Sequence, residues 1–208
     1  MRDNPDYDLT DPAAIKLLIQ DNPFVTLVSA TSNGLVASHT PVIIDESRPE
    51  LSVLSHLGRP DEQVHELGEH EVLMIVSGPH GYVSPGWYGP GPEVPTWNFV
   101  VAHLSGVPEI LDAAENYRTL GALVDTFEDR LPEPRRMEGT AENAQYAQRI
   151  SAGTVGFRLT PTRVTAKAKL SQGQPAQLVG RVIDALESAG PYAQPALAAT
   201  MRRAHGLT

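Results

Sequence analysis

The chain has 208 residues, of which 41% are hydrophobic and 20% charged, a composition that excludes an extended disordered polymer. It has no cysteine, which excludes disulfide scaffolds, thiolate zinc sites and cysteine nucleophiles. The net charge of −9 argues against strong affinity for nucleic acid, and no apolar run is long enough to span a membrane. We therefore expect a soluble, cytoplasmic protein.

The first half of the sequence predicts one helix followed by antiparallel strands. Asp11-Pro12 is typical of a helix start, and Asn22-Pro23 of a helix end. The pair Asn33-Gly34 predicts a hairpin turn, because both residue types tolerate positive φ. Strands are predicted over 24–31, 35–44, 51–55, 71–77 and 96–109, with a short helical turn over 61–67 and an irregular Gly- and Pro-rich loop over 78–95.

The second half predicts most of the helices. Asp112 and Glu115 fit a capping box, and apolar residues then repeat at helical spacing as far as Leu131. Further elements are predicted as a polar helix ending near Gly153, strands over 154–159 and 162–170, and a helix from Pro175. Early hairpins and late helices indicate an α+β fold, an antiparallel barrel with peripheral helices. We expect a single domain over 1–208, with its barrel core at about 24–110 and 154–172 and helical elements at 11–22, 112–152 and 175–205.

Two stretches of the sequence resemble known metal- or cofactor-binding motifs but lack the features that those motifs require. Residues 65–70 read HELGEH, which lacks the histidine spacing of a metalloprotease helix, so a solvated helix edge is the favoured interpretation and no metal site is predicted. Gly86, Gly89 and Gly91 lie among prolines and open no helix, which argues against a dinucleotide fold.

Three groups of residues can bind a phosphate or a planar ring. Ser55, His56 and Arg59 follow a predicted strand and precede a helical turn, where they can converge on a phosphate, although spacing alone favours an ordinary turn with an exposed arginine. An aromatic block either forms the wall of a ligand pocket or fills the space behind the loop; its members are Tyr82, Trp87, Tyr88 and Trp97. Lys167 and Lys169 share one strand face, where they either bind an anion or simply face the solvent. Solvent exposure is the favoured interpretation.

Five motifs together resemble those of PaiB-like proteins, which are FMN-binding negative transcriptional regulators with an FMN-binding split-barrel fold. In chain order the motifs are His39-Thr40-Pro41, SHLGRPDEQ from Ser55, GPHGYVSPGWY from Gly78, VPTWNFVVAHLSG from Val94 and KAKLSQGQP from Lys167. The resemblance extends from about Phe24 to Leu186 and predicts an antiparallel FMN-binding split β-barrel.

The resemblance also implies a homodimer with flavin sites at the subunit interface. The residues it assigns to the cofactor are His39, Thr40, Pro41, Val42, Leu54, Ser55, Arg59, Thr96, Trp97, Asn98, His103, Lys169 and Gln172. The residue patterns described above add His56 and Trp87 as candidates. Asp61 and Glu62 stand beside the presumed phosphate site and raise the cost of binding a dianion.

The implied role is that of a flavin-dependent regulator or redox protein, with FMN as the cofactor. The alternatives are a flavin- or deazaflavin-dependent oxidoreductase, a haem-binding barrel, or a ligand-binding module that has lost FMN. The resemblance implies DNA as a partner, but the acidic charge of this chain does not support direct DNA binding. No catalytic acid or base can be named from the sequence.

Overall fold

The structure is a computed structural model that describes residues 4–207. The chain divides into two compact units. The hairpin unit comprises Pro12–Val76 and His103–Val164, and the terminal unit comprises Ser77–Ala102, the chain from Thr165 onward and the N-terminal segment up to Asp11.

Eight strands and six α-helices make up the described part of the chain. The strands are β1 (Phe24–Thr31), β2 (Gly34–Ile44), β3 (Val53–Gly58), β4 (Val72–Val83), β5 (Thr96–Gly106), β6 (Glu109–Ile110), β7 (Thr154–Leu159) and β8 (Arg163–Lys169). The helices are α1 (Pro12–Asp21), α2 (Arg59–His65), α3 (Ala113–Glu128), α4 (Ala141–Ser151), α5 (Ala176–Glu187) and α6 (Pro195–His205).

The sheet has the strand order β6-β7-β3-β2-β1-β4-β5-β8. Strand β1 pairs antiparallel with β2 and β4, β3 pairs antiparallel with β2 and β7, and β6 pairs antiparallel with β7. The predicted α+β class with an antiparallel sheet is confirmed.

The hairpin unit is built on the β1–β2 hairpin. Gly34 has φ +114°, a conformation that an L side chain rarely adopts, and it pairs with Thr31 at the turn. Asp112 caps α3 by accepting the Glu115 amide at 2.8 Å, as the capping box predicted. The buried core of the unit includes Ile15, Leu18, Ile19, Val25, Leu27, Val42, Val53, Leu57, Leu104, Leu123, Phe157 and Leu159.

The terminal unit packs α5 and α6 with the second half of β4, the first half of β5 and most of β8. Gly81 lies so close to α6 that an added Cβ would come within 3.0 Å of Leu197. His205, at the end of α6, donates to the Leu170 carbonyl at 2.9 Å. The buried core of the unit includes Val83, Val100, Leu170, Val179, Val182, Ile183, Leu186, Leu197 and Met201.

Several predicted boundaries were wrong. β4 continues to Val83, six residues past the predicted end at 77, because Pro79 and the glycines beside it tolerate extended backbone. β3 lies at Val53–Gly58 instead of 51–55, and α2 begins at Arg59 and ends at His65, where Glu66 has φ +47°. Among the described residues, no helix combines the length and the apolar character needed to cross a membrane.

Candidate functional site

An aromatic cluster lies in the terminal unit and consists of His80, Tyr82, Trp87, Trp97 and Tyr192. The Tyr82 ring is its centre, with centroid distances of 6.5 Å to Trp87, 6.2 Å to Trp97 and 4.9 Å to Tyr192. The His80 ring lies 6.5 Å from that of Trp97. Trp97 and Tyr192 are 56% and 50% exposed. The cluster therefore presents ring surface to solvent, an arrangement suited to binding a planar ligand.

Lys169 is a half-buried ammonium group on β8 in the terminal unit. Its Nζ donates to the hydroxyl of Thr96, the residue before Trp97. No carboxylate of the described residues lies within ion-pair distance of Lys169, whereas Lys167, on the same strand, pairs with Asp8. Burial lowers the pKa of Lys169, because desolvation penalises the charged form. An anionic ligand would relieve that penalty.

A polar network joins β5 to the turn that follows β8. Asn98 is fully buried and donates from Nδ2 to Ser171 Oγ at 2.9 Å, and Tyr88 Oη lies 3.1 Å from the same hydroxyl. Ser171 has φ +66°, which is uncommon for a residue with a side chain. Gln172 Oε1 accepts the Leu170 amide at 2.8 Å and so supports this turn. Asn98 Oδ1 has no partner among the described residues, and a buried oxygen in that state suits a water or ligand donor.

In the hairpin unit, the predicted residues of β2 and β3 bind each other. Val42 pairs with Ser55 across the two strands. Thr40 donates to the His56 carbonyl at 2.6 Å, and Ser55 donates to the Pro41 carbonyl at 2.7 Å. A hydroxyl carries one proton, so in this arrangement both protons are engaged with backbone oxygens and both hydroxyls can only accept from a further partner. Their evident role is to hold the two strands together.

Arg59 is also engaged within the hairpin unit. Its Nε donates to the Ala152 carbonyl at 2.7 Å, and its backbone amide donates to the Gly153 carbonyl at 3.0 Å. Its Nη1 lies 3.5 Å from a carboxylate oxygen of Glu62. The side chain is 55% exposed, and the remaining guanidinium nitrogen, Nη2, has no hydrogen-bond partner among the described residues. Arg59 can thus meet an anion, but in competition with a carboxylate that is already present.

A pocket of about 210 Å³ opens beside Arg59. Asn116 forms part of its wall and donates from Nδ2 to Thr154 Oγ1 at 3.1 Å. Asn116 Oδ1 has no partner among the described residues and lies 2.9 Å from the position of a Cβ on Gly156, so this approach requires glycine. The remaining pocket residues are Leu111, Ala113, Gln148, Ser151, Ala152 and Val155.

Three histidines predicted to bind the cofactor occupy different surroundings in the hairpin unit. His39 is exposed and stacks on Phe24 with 5.9 Å between ring centroids. His56 is half-buried, and its Nδ1 has no partner among the described residues. Burial lowers the pKa of both His56 and His103, which keeps these rings neutral at physiological pH.

The prediction of a solvated helix edge at 65–70 was wrong for His65. The ring of His65 is fully buried, with Nδ1 at 2.8 Å from Ser29 Oγ and Nε2 at 2.9 Å from Ser38 Oγ. Burial lowers the pKa of His65, and Asp61 acts weakly in the opposite direction. Because the helix ends at this residue, its last side chain turns onto the β1–β2 hairpin.

The same helix end brings Glu66, Glu69 and His70 together, with their possible metal-ligand atoms within 4.8 Å of one another. Glu66 accepts hydrogen bonds from the amide and hydroxyl of Ser32, and His70 Nε2 lies 2.6 Å from it. These contacts account for the position of the Glu66 carboxylate without an ion.

The predicted cofactor residues thus fall into two groups. The terminal unit contains Trp87, Thr96, Trp97, Asn98, Lys169 and Gln172, and the hairpin unit contains His39, Thr40, Pro41, Val42, Leu54, Ser55, His56, Arg59 and His103. Sequence reasoning missed Ser171, although it lies within the KLSQ motif, and Tyr192, for which no local pattern gives a signal.

Comparison with known families gives a match to the family described as "Putative FMN-binding domain", over residues 1–163. A curated relative, the protease synthase and sporulation protein PAI 2 of Bacillus subtilis, is 26% identical over 184 residues. That alignment covers 88% of this chain and 87% of the relative.

Solved structures with a similar fold include the flavocytochrome Anf3 of Azotobacter vinelandii, with a TM-score of 0.58 and 16% identity over 81% of this chain and 72% of that one. The FAD and heme binding protein of Mycobacterium smegmatis also has a TM-score of 0.58, with 17% identity over 89% of this chain and 82% of that one. Likeness at this identity establishes the fold, and the predicted antiparallel split barrel with peripheral helices is confirmed.

Proposed function

Because the chain belongs to the FMN-binding domain family, we propose that it is a flavoprotein whose cofactor is FMN. A flavin supplies the redox chemistry when bound, while the protein orients the ring and sets its electrostatic surroundings. Deazaflavin, FAD and haem are the competing ligands, since proteins of the same fold are described as flavocytochrome and as FAD and heme binding.

The observation that carries the proposal is the position of Lys169. FMN combines a planar ring system with a phosphate, so its site needs both ring surface and a cation. Lys169 is half-buried, has no carboxylate partner among the described residues and belongs to the same unit as the exposed Trp97. The unpartnered oxygen of Asn98 lies on the same strand as Trp97. These features fit FMN better than an uncharged planar ligand.

The β2 and β3 residues and Arg59 belong to the proposal as a second set. The resemblance assigns His39, Thr40, Pro41, Val42, Leu54, Ser55, Arg59 and His103 to the cofactor, and the position of His56 beside Ser55 adds it to this set. The unpartnered guanidinium nitrogen of Arg59 and the pocket beside it support a role in anion binding. Glu62 opposes that role by offering Arg59 a competing carboxylate.

A homodimer is part of the same proposal. Along β1 and β2, the side chains that point away from the core include Phe24 and Leu35, which are 67% and 80% exposed. An exposed apolar sheet face of this kind is typical of an interface. We expect sedimentation at micromolar concentration to give a mass near twice 22.4 kDa. Leu35→Glu should shift the protein towards the monomer.

A redox role is favoured over direct DNA binding. Among the adjacent basic pairs, Arg136 binds Asp125 and Asp129, and Arg202 binds Glu187. Neutralised arginines give little attraction for phosphates. A flavin-dependent regulator that acts through another partner is the second candidate, since the B. subtilis relative is named as a sporulation protein.

The deciding experiment is the absorbance spectrum of the purified protein, followed by identification of the ligand released on denaturation. FMN in the supernatant supports the proposal, whereas FAD, a deazaflavin or haem would replace FMN as the cofactor. Bleaching of the bound flavin by NADH or NADPH supports the redox role, and a yellow but inert protein supports the regulator. A colourless protein that does not bind added FMN contradicts the proposed function.

A further inference from the structure

His80 lies on β4, and its ring is held by one backbone hydrogen bond. Nδ1 is 3.0 Å from the carbonyl oxygen of Gly78. A carbonyl oxygen can only accept, so Nδ1 must carry the proton. In the neutral ring this leaves Nε2 with a free lone pair, and the Gly78 contact therefore fixes both the tautomer and the ring orientation.

Nothing in the described part of the chain uses that lone pair. His80 is exposed, and its hydrogen bond among the described residues is the one made through Nδ1. The imidazoles of His65 and His70 differ, because each has a protein partner at Nε2. The Nε2 atom of His80 is thus an oriented hydrogen-bond acceptor that has no donor among the described residues.

The acceptor is located beside ring surface. The rings of His80 and Trp97 are 6.5 Å apart and inclined by 32°, and Trp97 is 56% exposed. A planar molecule lying on Trp97 would have one edge close to the imidazole of His80. Aromatic stacking fixes the plane of a ligand but not its rotation in that plane, so an edge hydrogen bond is what would select one orientation.

We propose that His80 Nε2 accepts a hydrogen bond from a ring N–H group of the planar ligand bound against Trp97, and so determines which nitrogen heterocycles the site takes. This inference rests on the proposed FMN binding, and it assigns a ring-recognition role that differs from the anion-binding role of Lys169. The oxidised flavin ring carries a single N–H, at N3. A ligand in which that position is methylated keeps its plane, charge and phosphate but loses the donor.

The experiment compares the dissociation constants of FMN and 3-methyl-FMN. Both tryptophans of the chain belong to the aromatic cluster, so quenching of intrinsic fluorescence reports binding there. For the unchanged protein we expect 3-methyl-FMN to bind about tenfold more weakly than FMN, the effect of one lost hydrogen bond. In His80→Phe, which keeps a ring but removes the acceptor, the two ligands should bind equally.

The control is His70→Gln, an exchange in the hairpin unit, which should keep the ratio of the unchanged protein. Equal binding of the two ligands by the unchanged protein overturns the inference, whether or not His80→Phe folds. A ratio that persists in folded His80→Phe also overturns it, because the acceptor then lies elsewhere. If FMN itself does not bind, the proposed function fails. If FMN binds with no preference over its methyl derivative, only the His80 inference fails.

Discussion

Arg59 and Lys169 were both predicted to meet a flavin, yet their surroundings are opposite. Arg59 donates from Nε to the Ala152 carbonyl and has a carboxylate of Glu62 at 3.5 Å. Lys169 is half-buried, and its hydrogen-bond partner among the described residues is the neutral hydroxyl of Thr96. Whether a cationic side chain is available to bind an anion therefore depends on its neighbours in the folded chain, which a sequence motif does not specify.

The difference has an electrostatic consequence. A phosphate that approaches Arg59 meets the repulsion of Glu62 and must share the guanidinium with it. An anion that approaches Lys169 meets no such competitor among the described residues, and it also relieves the desolvation that lowers the pKa of the amine. We therefore expect the larger effect on FMN affinity from Lys169.

The first prediction tests that expectation directly. Lys169→Met keeps the aliphatic stem and removes the charge, and it should weaken FMN binding about ten- to a hundredfold, as expected for loss of a charge-assisted hydrogen bond. Fluorescence titration with FMN and with riboflavin measures the effect. A loss confined to FMN places Lys169 at the phosphate, and an equal loss for riboflavin places it at the ring.

The matched control for this prediction is Lys167→Met. Lys167 lies on the same strand, but it is buried and paired with Asp8. Its replacement should lower stability and change FMN affinity by no more than about twofold. Equal losses of affinity in the two variants, or none in either, would contradict the special position of Lys169.

The second prediction asks whether α2, which begins at Arg59, is anchored as a structural element. His65→Phe leaves the fully buried hydroxyl of Ser29 without its partner, and it should lower the free energy of unfolding by about 1–3 kcal/mol. Urea denaturation followed by circular dichroism measures this value. Little change in stability would mean that His65 does not anchor the helix.

The same histidine should make stability depend on pH. The folded-state pKa of His65 lies below its ordinary value of 6.5, so the unfolded chain binds the proton more readily. The stabilisation is therefore complete above pH 6.5 and is lost as the pH falls towards the lowered pKa. His65→Phe should reduce this loss without abolishing it, because burial also lowers the pKa of His56 and His103.

The sequence predicted those elements whose signals are local. Asp11-Pro12 and Asn33-Gly34 located α1 and the β1–β2 hairpin closely, because a cap and a tight turn depend on neighbouring residues. The extension of β4 through Pro79 was missed, since only pairing with other strands makes that stretch regular. The burial of His65 was missed for the same reason, because its partners come from another element.

The candidate site shows the same division between local and tertiary information. The motifs supplied Trp97, Asn98 and Lys169, which all lie in the terminal unit. They could not supply the pairing of Arg59 with Glu62, which depends on side-chain directions in a helix whose start was displaced by two residues. Tyr192 has no motif, and only the folded chain places it beside Tyr82.

The third prediction concerns Arg59 itself. If the unpartnered guanidinium nitrogen of Arg59 contacts the phosphate, Arg59→Ala should weaken FMN binding about tenfold and leave riboflavin binding nearly unchanged. Asp61→Asn should strengthen FMN binding modestly, and Glu62→Gln should do so more clearly because it removes the competing carboxylate. Unchanged FMN binding in Arg59→Ala would mean that Arg59 has only a structural role at the start of α2. Lys169 would then be the cation of the site.

The last and smallest effect is expected at Tyr192, which lies outside the residues matched by the family. Its ring is 4.9 Å from that of Tyr82 and is half exposed, so it extends the ring surface of the terminal unit without a polar contact to the proposed ligand. An aromatic contact of this kind contributes about 0.5–1.5 kcal/mol, so Tyr192→Ala should weaken FMN and riboflavin alike by about two- to tenfold. Tyr192→Phe, which keeps the ring, should bind both ligands as the unchanged protein does. If Tyr192→Ala weakens the binding of FMN but not that of riboflavin, Tyr192 acts on the phosphate. The assignment of Tyr192 to the ring surface would then be wrong.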